Sequence, residues 1–350
     1  GPLDVTVTVK AIQVYLDTVV NPNGGVNGRP VELVFYDDGI IDPNKTLQFV
    51  KKLVEDDGVV AIVGGFFPLS WQNIQGSLEQ AGAPVIGPEG VHSTEYTSPI
   101  SFPLNMSPVD WGIVDARYAG EVMGKKRIAI VNTEGTGYML DWQKGVEQYV
   151  AAHPGMEIVK TVTVGAGGGE VNFTPLILQL KRSAPEVVLL HIGEGDYPRI
   201  FQELERQGWK PDMICTSACM GSTISQAVPE FLKGVIASNA FETTDVNPSY
   251  HAYRTDLERL YPNTAENPYG FNSYLAAKLF CDVAASIPPG DISRKTITDG
   301  LHGLRGWKSG ATEPMSFTPE DHSANTGRIY FEYVGESKWF PVSGWISVEK

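Results

Sequence analysis

Apolar and polar positions fall into blocks along this chain. Residues 24–65, GGVNGRPVELVFYDDGIIDPNKTLQFVKKLVEDDGVVAIVGG, lay out one strand-helix-strand unit. The β-branched and aromatic run from Val31 to Tyr36 reads as a strand that ends in Asp37 and Asp38. Asp42 is placed to cap a helix, because its carboxylate can accept from the free amides of the first turn. Pro43 follows where a missing N–H costs nothing. Leu47, Val50, Leu53 and Val54 then repeat at helical spacing, and Gly58 supplies the left-handed residue that ends many helices. Val59 to Val63 is apolar on both faces, as a parallel strand covered by helices should be, and Gly64 and Gly65 open the loop beyond it.

The pattern recurs. A helix from Trp71 to Gln80 precedes a strand from Ala83 to Ile86, and a helix from about Val109 to Met123 precedes a strand from Arg127 to Val131. Thr174 and Pro175 open another helix, followed by a strand from Glu186 to Ile192 and a helix from Tyr197 to Arg206. Strands that alternate with helices in this way predict an α/β fold with parallel sheets. The chain closes differently: Arg328 to Val334 and Lys338 to Ile346, parted by Gly335 and Glu336, read as a β-hairpin. At the start, alternation at Leu3, Val5, Val7 and Val9 suits a strand. Spacing at Val5, Val9, Ile12, Leu16 and Val19 suits a helix and extends further, so a helix is expected.

A length of 350 residues suits two domains. With 41 acidic against 27 basic residues the net charge is −14, and no cluster of Lys and Arg interrupts it, which argues against nucleic acid and anionic membrane surfaces as partners. No apolar run approaches the ~20 residues that span a bilayer. The three cysteines, Cys215, Cys219 and Cys281, have neither zinc-ribbon nor C-x-x-C spacing and read as buried free thiols. The histidines show no H-E-x-x-H spacing, and no G-x-S-x-G elbow occurs. GAGGGE at 165–170 fails the G-x-G-x-x-G pattern and reads as a surface loop. No catalytic activity, cofactor or metal is expected.

NPNGGVNGRPVELVFYDDGIIDP, then KKLVEDDGVVAIVGG and APVIGP, resembles the leucine/isoleucine/valine-binding protein family, the type I periplasmic solute-binding proteins of ABC transporters. GGGEVNFTPLILQLKRSAPEVVLLHIGEGDYPRIFQELERQG, NPYGFNSYLAAKLF and MSFTPEDHSANTGRIYFEYV follow in the family's order, so the resemblance covers nearly the whole chain. It implies two doubly wound, Rossmann-like lobes joined by a three-segment hinge. The first lobe would be 1–119 plus 247–323 and the second 120–246 plus 324–350. It also implies a monomeric, periplasmic or lipid-anchored binding component of an importer, which closes on a small solute and presents the closed form to a membrane permease. A ligand-sensing regulator or receptor domain of the same fold is the alternative. Family members begin with an apolar strand before a Gly-Pro. Gly1 and Pro2 are that Gly-Pro with the strand absent, or a protease scar, or the opening LDVTVTVKAIQV is itself the strand.

In amino-acid-binding members a Ser or Thr hydroxyl and loop amides hold the ligand carboxylate, and an acidic residue of the second lobe holds the ammonium. Carried over, GGFFPLSW brings Phe66, Phe67, Leu69, Ser70 and Trp71 to the cleft, with Ser70 as the hydroxyl, and GPEG brings Pro88, Glu89 and Gly90. The ammonium ligand should fall at Ser217, Ala218 or Cys219, where no carboxylate stands. Glu89 or Glu194 replaces it, or the solute lacks an ammonium: a hydrophobic or branched-chain amino acid in the first case, an aromatic or aliphatic carboxylic acid in the second. The residues themselves leave choices open. Phe66, Phe67, Trp71 and Tyr138 either stack on a solute or pack beneath their loops. Trp142, a turn into its helix, reads as core. Glu89 is a ligand-facing anion or a helix cap. Glu194 and Asp196 flank Gly195, just after the cleft candidate Gly193; Asp196 reads as the cap of the next helix, which leaves Glu194 the freer group.

Overall fold

The computed structural model describes the chain except residues 1–5, 40–41, 66, 68–69, 135–136, 166–171, 266–267 and 350. Two sheets organise it. The smaller is parallel, with β1 (Ile62–Val63), β2 (Val85–Ile86) and β3 (Ser101–Phe102) in the order β1-β2-β3. The larger is built from β4 (Arg127–Thr133), β5 (Glu157–Val164), β6 (Val187–His191), β7 (Asp212–Thr216), β8 (Ile236–Asn239), β9 (Gly327–Gly335) and β10 (Lys338–Pro341), with β11 (Ile346–Ser347) paired to β9. Its order is β10-β9-β8-β7-β6-β4-β5. The β4 to β8 pairs are parallel, while β9 runs antiparallel to both β8 and β10.

The expected helix-strand alternation is present, with helices Pro43–Lys51, Trp71–Ala81, Pro108–Arg117, Thr174–Arg182 and Tyr197–Arg206. Asp42 caps the first of these, accepting from Asn44 N at 3.0 Å and Lys45 N at 3.2 Å. The opening residues form a helix, Thr6–Tyr15, as the longer periodicity predicted. Val31 to Tyr36 is a correction: it belongs to no ladder, so only the helix and second strand of the opening unit are realised. β-branched residues make a strand only where a neighbour takes their backbone groups. Here the Asn21 side chain takes those of Val31, accepting from its N–H at 2.8 Å and donating to its carbonyl at 3.0 Å. Phe35 is left 60% exposed.

Core packing follows the sheets. Val7, Phe102, Leu104, Ala240, Phe241, Phe271 and Phe317 share one core with the long helix Pro268–Ser286. The two faces of the larger sheet are covered separately, one by Ile177, Ile200 and Phe201, the other by Val114, Ala116, Tyr118 and Trp142. Helix Pro108–Arg117, placed with the first lobe by the sequence division, therefore packs on the larger sheet. Small residues let it approach helix Gly137–Ala152: a Cβ at Gly112 would lie 1.9 Å from Trp142 O, and one at Gly145 1.9 Å from Val109 O. Where the chain passes between the sheets, buried Asn325 donates to Leu104 O at 3.0 Å and Ala240 O at 3.2 Å, tying its own segment to two others.

Candidate functional site

Parallel strands all end on the same side, and loops from both sheets converge there on one cavity of about 100 Å³. The loop after β2 contributes Glu89 and Gly90, and the segment after β3 contributes Asn105. From the larger sheet come Gly193 and Glu194 after β6, Ser217 and Ala218 after β7, and Asn239 at the end of β8. Trp111, Tyr138, His191, Phe241 and Tyr269 supply aromatic walls. Arg328 also lines it. Because β9 runs against β8, with Ile329 opposite Asn239, its first residues stand where the parallel strands finish.

Glu89 is a buried carboxyl held by amides. Asn272 Nδ2 donates to its Oε1 at 2.9 Å and Asn105 Nδ2 to its Oε2 at 3.2 Å. Burial pushes it up to about 8, an effect that the two amides oppose and the nearby Glu95 reinforces. Burial likewise raises Glu194. It brings His191 down to about 3, helped by the Arg328 charge, so this ring is neutral between Trp111 at 4.4 Å, Trp142 at 5.0 Å and Tyr138 at 5.3 Å, centroid to centroid.

Arg328 is 1% exposed. Burial lowers its guanidinium to about 10, with Asp115 opposing, so it remains a cation at neutral pH. It lies over Trp111, 3.9 Å from guanidinium carbon to ring centroid. Its Nε donates to Ser238 Oγ at 3.2 Å and its Nη2 to Ser238 O at 2.9 Å. Nη1 makes no hydrogen bond among the described residues. Asp115 sits behind this group, engaged by Trp142 Nε1 at 2.9 Å and Tyr330 Oη at 2.8 Å.

Of the residues singled out in the sequence, the cavity wall brings together Glu89, Gly90, Tyr138, Gly193, Glu194, Ser217 and Ala218. Others lie elsewhere. Ser70 is buried against Thr46, hydroxyl to hydroxyl at 3.0 Å, and Trp71 is buried with Nε1 donating to Thr94 Oγ1 at 3.1 Å. Phe67 packs on the same small core, because the helix that starts at Trp71 turns these side chains under the sheet. Pro88 is buried outside the cavity wall, and Cys219 is buried in the core of the larger sheet. Phe66 and Leu69 fall outside the described residues, as does nearly all of the loop at 165–170. Trp142 is core, as expected. Asp196 stands at the helix start, but its carboxylate pairs with Arg199 at 3.0 Å instead of capping the helix. Sequence reading missed Asn105, Trp111, His191, Tyr269 and Arg328. The one signal for Arg328 was a charge at the head of a largely apolar strand.

A family model described as periplasmic binding protein matches residues 6–336. The chain belongs to the periplasmic binding protein family. This periplasmic binding protein is 25% identical over 237 residues to a leucine-, isoleucine-, valine-, threonine- and alanine-binding protein of Pseudomonas aeruginosa, a match covering 65% of the chain and 61% of that relative. It spans about three-fifths of the length of the curated relatives it matches. Its fold superimposes on a possible leucine/isoleucine/valine-binding protein from Rhodopirellula baltica with TM-score 0.82 at 18% identity, covering 96% of this chain and 91% of the other. A solute-binding protein of an ABC transporter from R. palustris, solved in complex with benzoate, gives TM-score 0.79 at 15% identity, covering 97% and 91%. Together these establish the type I fold, with its mixed α/β architecture and parallel sheets. No helix among the described residues is long and apolar enough to cross a membrane.

Proposed function

We propose that this chain is the extracytoplasmic solute-binding component of an ABC importer. Its solute is a hydrophobic amino acid or an aromatic or aliphatic carboxylic acid, taken up in a cleft between two lobes that close on it. One observation carries the reading: a single cavity gathers strand ends from both sheets, walls them with aromatic rings and sets charged groups among them. The lobes in this reading are centred on the two sheets. Residues 247–323 go with the smaller sheet and 120–239 with the larger, and helix Pro108–Arg117 is moved to the larger-sheet lobe because its apolar face packs there. The segments tied at Asn325 then act as the hinge. Ligand binding energy selects the closed form, which a permease would read.

Native mass spectrometry of the purified protein, followed by a thermal-shift screen of L-leucine, L-valine, benzoate and short aliphatic acids, tests this. A solute present at 100 times its Kd should stabilise the fold by about 2.7 kcal/mol. No bound small molecule and no shift with any of these compounds would refute the reading.

A further inference from the structure

The resemblance puts the ligand carboxylate on a hydroxyl of the first lobe and gives the second lobe an anion for the ammonium. The geometry here points the other way. Ser70, the expected hydroxyl, is engaged with Thr46 away from the cavity. The larger sheet instead presents a buried cation. Arg328 is positioned by three neighbours: Ser238 takes its Nε and Nη2, the Trp111 ring covers one face, and Trp111 Nε1 donates to the same Ser238 Oγ at 3.1 Å. Asp115, the third, balances part of the charge from behind, yet among the described residues Arg328 forms no ion pair. A guanidinium taken out of water with one nitrogen unengaged is costly unless an anion completes it, and its planar fork matches a carboxylate.

We propose that Arg328 is the carboxylate anchor of the solute: Nη1 donates to a ligand carboxylate oxygen, and the apolar body of the solute lies along Trp111, Tyr138 and Tyr269. This rests on the solute-binding reading above and specifies its ligand class, a small carboxylate held from the larger sheet. Plain carboxylic acids and α-amino acids share that chemistry. Glu89 and Glu194 border the same cavity, so an ammonium would be received there and not at Ser217 to Cys219.

Two matched pairs on the wild-type protein separate the cases by calorimetry: benzoate against benzamide, and L-leucine against L-leucinamide. At least one acid should bind about 100-fold more tightly than its amide, because the amide replaces an anion with a neutral group at a buried cation. The acid that does so identifies the source as plain or amino acid. Arg328→Gln should reduce acid affinity about 100-fold while moving amide affinity less than about threefold, and Arg328→Lys should restore part of the loss. Equal binding of acid and amide by the wild-type protein overturns the anchor without needing any variant to fold, and leaves solute binding intact. Binding of none of the four, nor of L-valine or the short aliphatic acids, overturns the solute-binding reading and the anchor together.

Discussion

Glu89 shows how burial changes what a single residue does. In the folded protein its carboxyl is pushed up to about 8 from 4.5, chiefly by burial. Between those values the folded state holds a proton that the unfolded chain has released. Stability therefore falls as pH rises through this window and levels off above it. Glu95, also pushed up to about 8 by burial, contributes with the same sign. Glu89→Gln removes one of the two titrating groups, so its thermal midpoint should fall less steeply with pH than that of the wild type over the same window. Identical slopes would show that Glu89 holds no such proton. Glu89 was legible in the sequence because a carboxylate in GPEG, at a strand end, has few other places to go. Arg328 was not, because its place at the cavity depends on β9 running backwards beside β8, and nothing local in RIYFEYV sets that direction.

At the scale of elements, the contact between helices Pro108–Arg117 and Gly137–Ala152 decides where the first of them belongs. Gly112 and Gly145 let the backbones touch, and either Cβ would meet a carbonyl at 1.9 Å. Gly145→Ala should cost about 2–3 kcal/mol through overpacking. Gly76→Ala, in helix Trp71–Ala81 with nothing within 4 Å of the added methyl, should instead stabilise by about 0.5–1 kcal/mol. Urea unfolding of both variants measures the contrast, and a Gly145→Ala protein as stable as the wild type would mean that the helices can part at little cost. The sequence pattern predicted the first of these helices, but spacing identifies an apolar face without saying what covers it. The run Val31 to Tyr36 fails for a related reason: strand propensity is realised only across a ladder, and its backbone partner at Val31 is the Asn21 side chain.

At the scale of the whole molecule, the cavity opens where two sheets face each other across segments tied at Asn325. If the solute selects a closed arrangement, small-angle scattering should show the radius of gyration falling on saturation with whichever acid the calorimetry identifies. Saturation with no compaction would remove hinge closure while leaving binding in place. The α/β class and most of the order of helices and strands were legible in the sequence, because local periodicity, capping and turn residues carry them; the acidic balance came from composition, and the family from its resemblance in motif order. Which side chains line the cavity was set by the tertiary structure. Ser70 and Trp71 went inward while Asn105, Tyr269 and Arg328 came to the cavity, since the facing of a side chain is set by strand direction, helix phase and contacts between residues as far apart in sequence as Ser238 and Arg328.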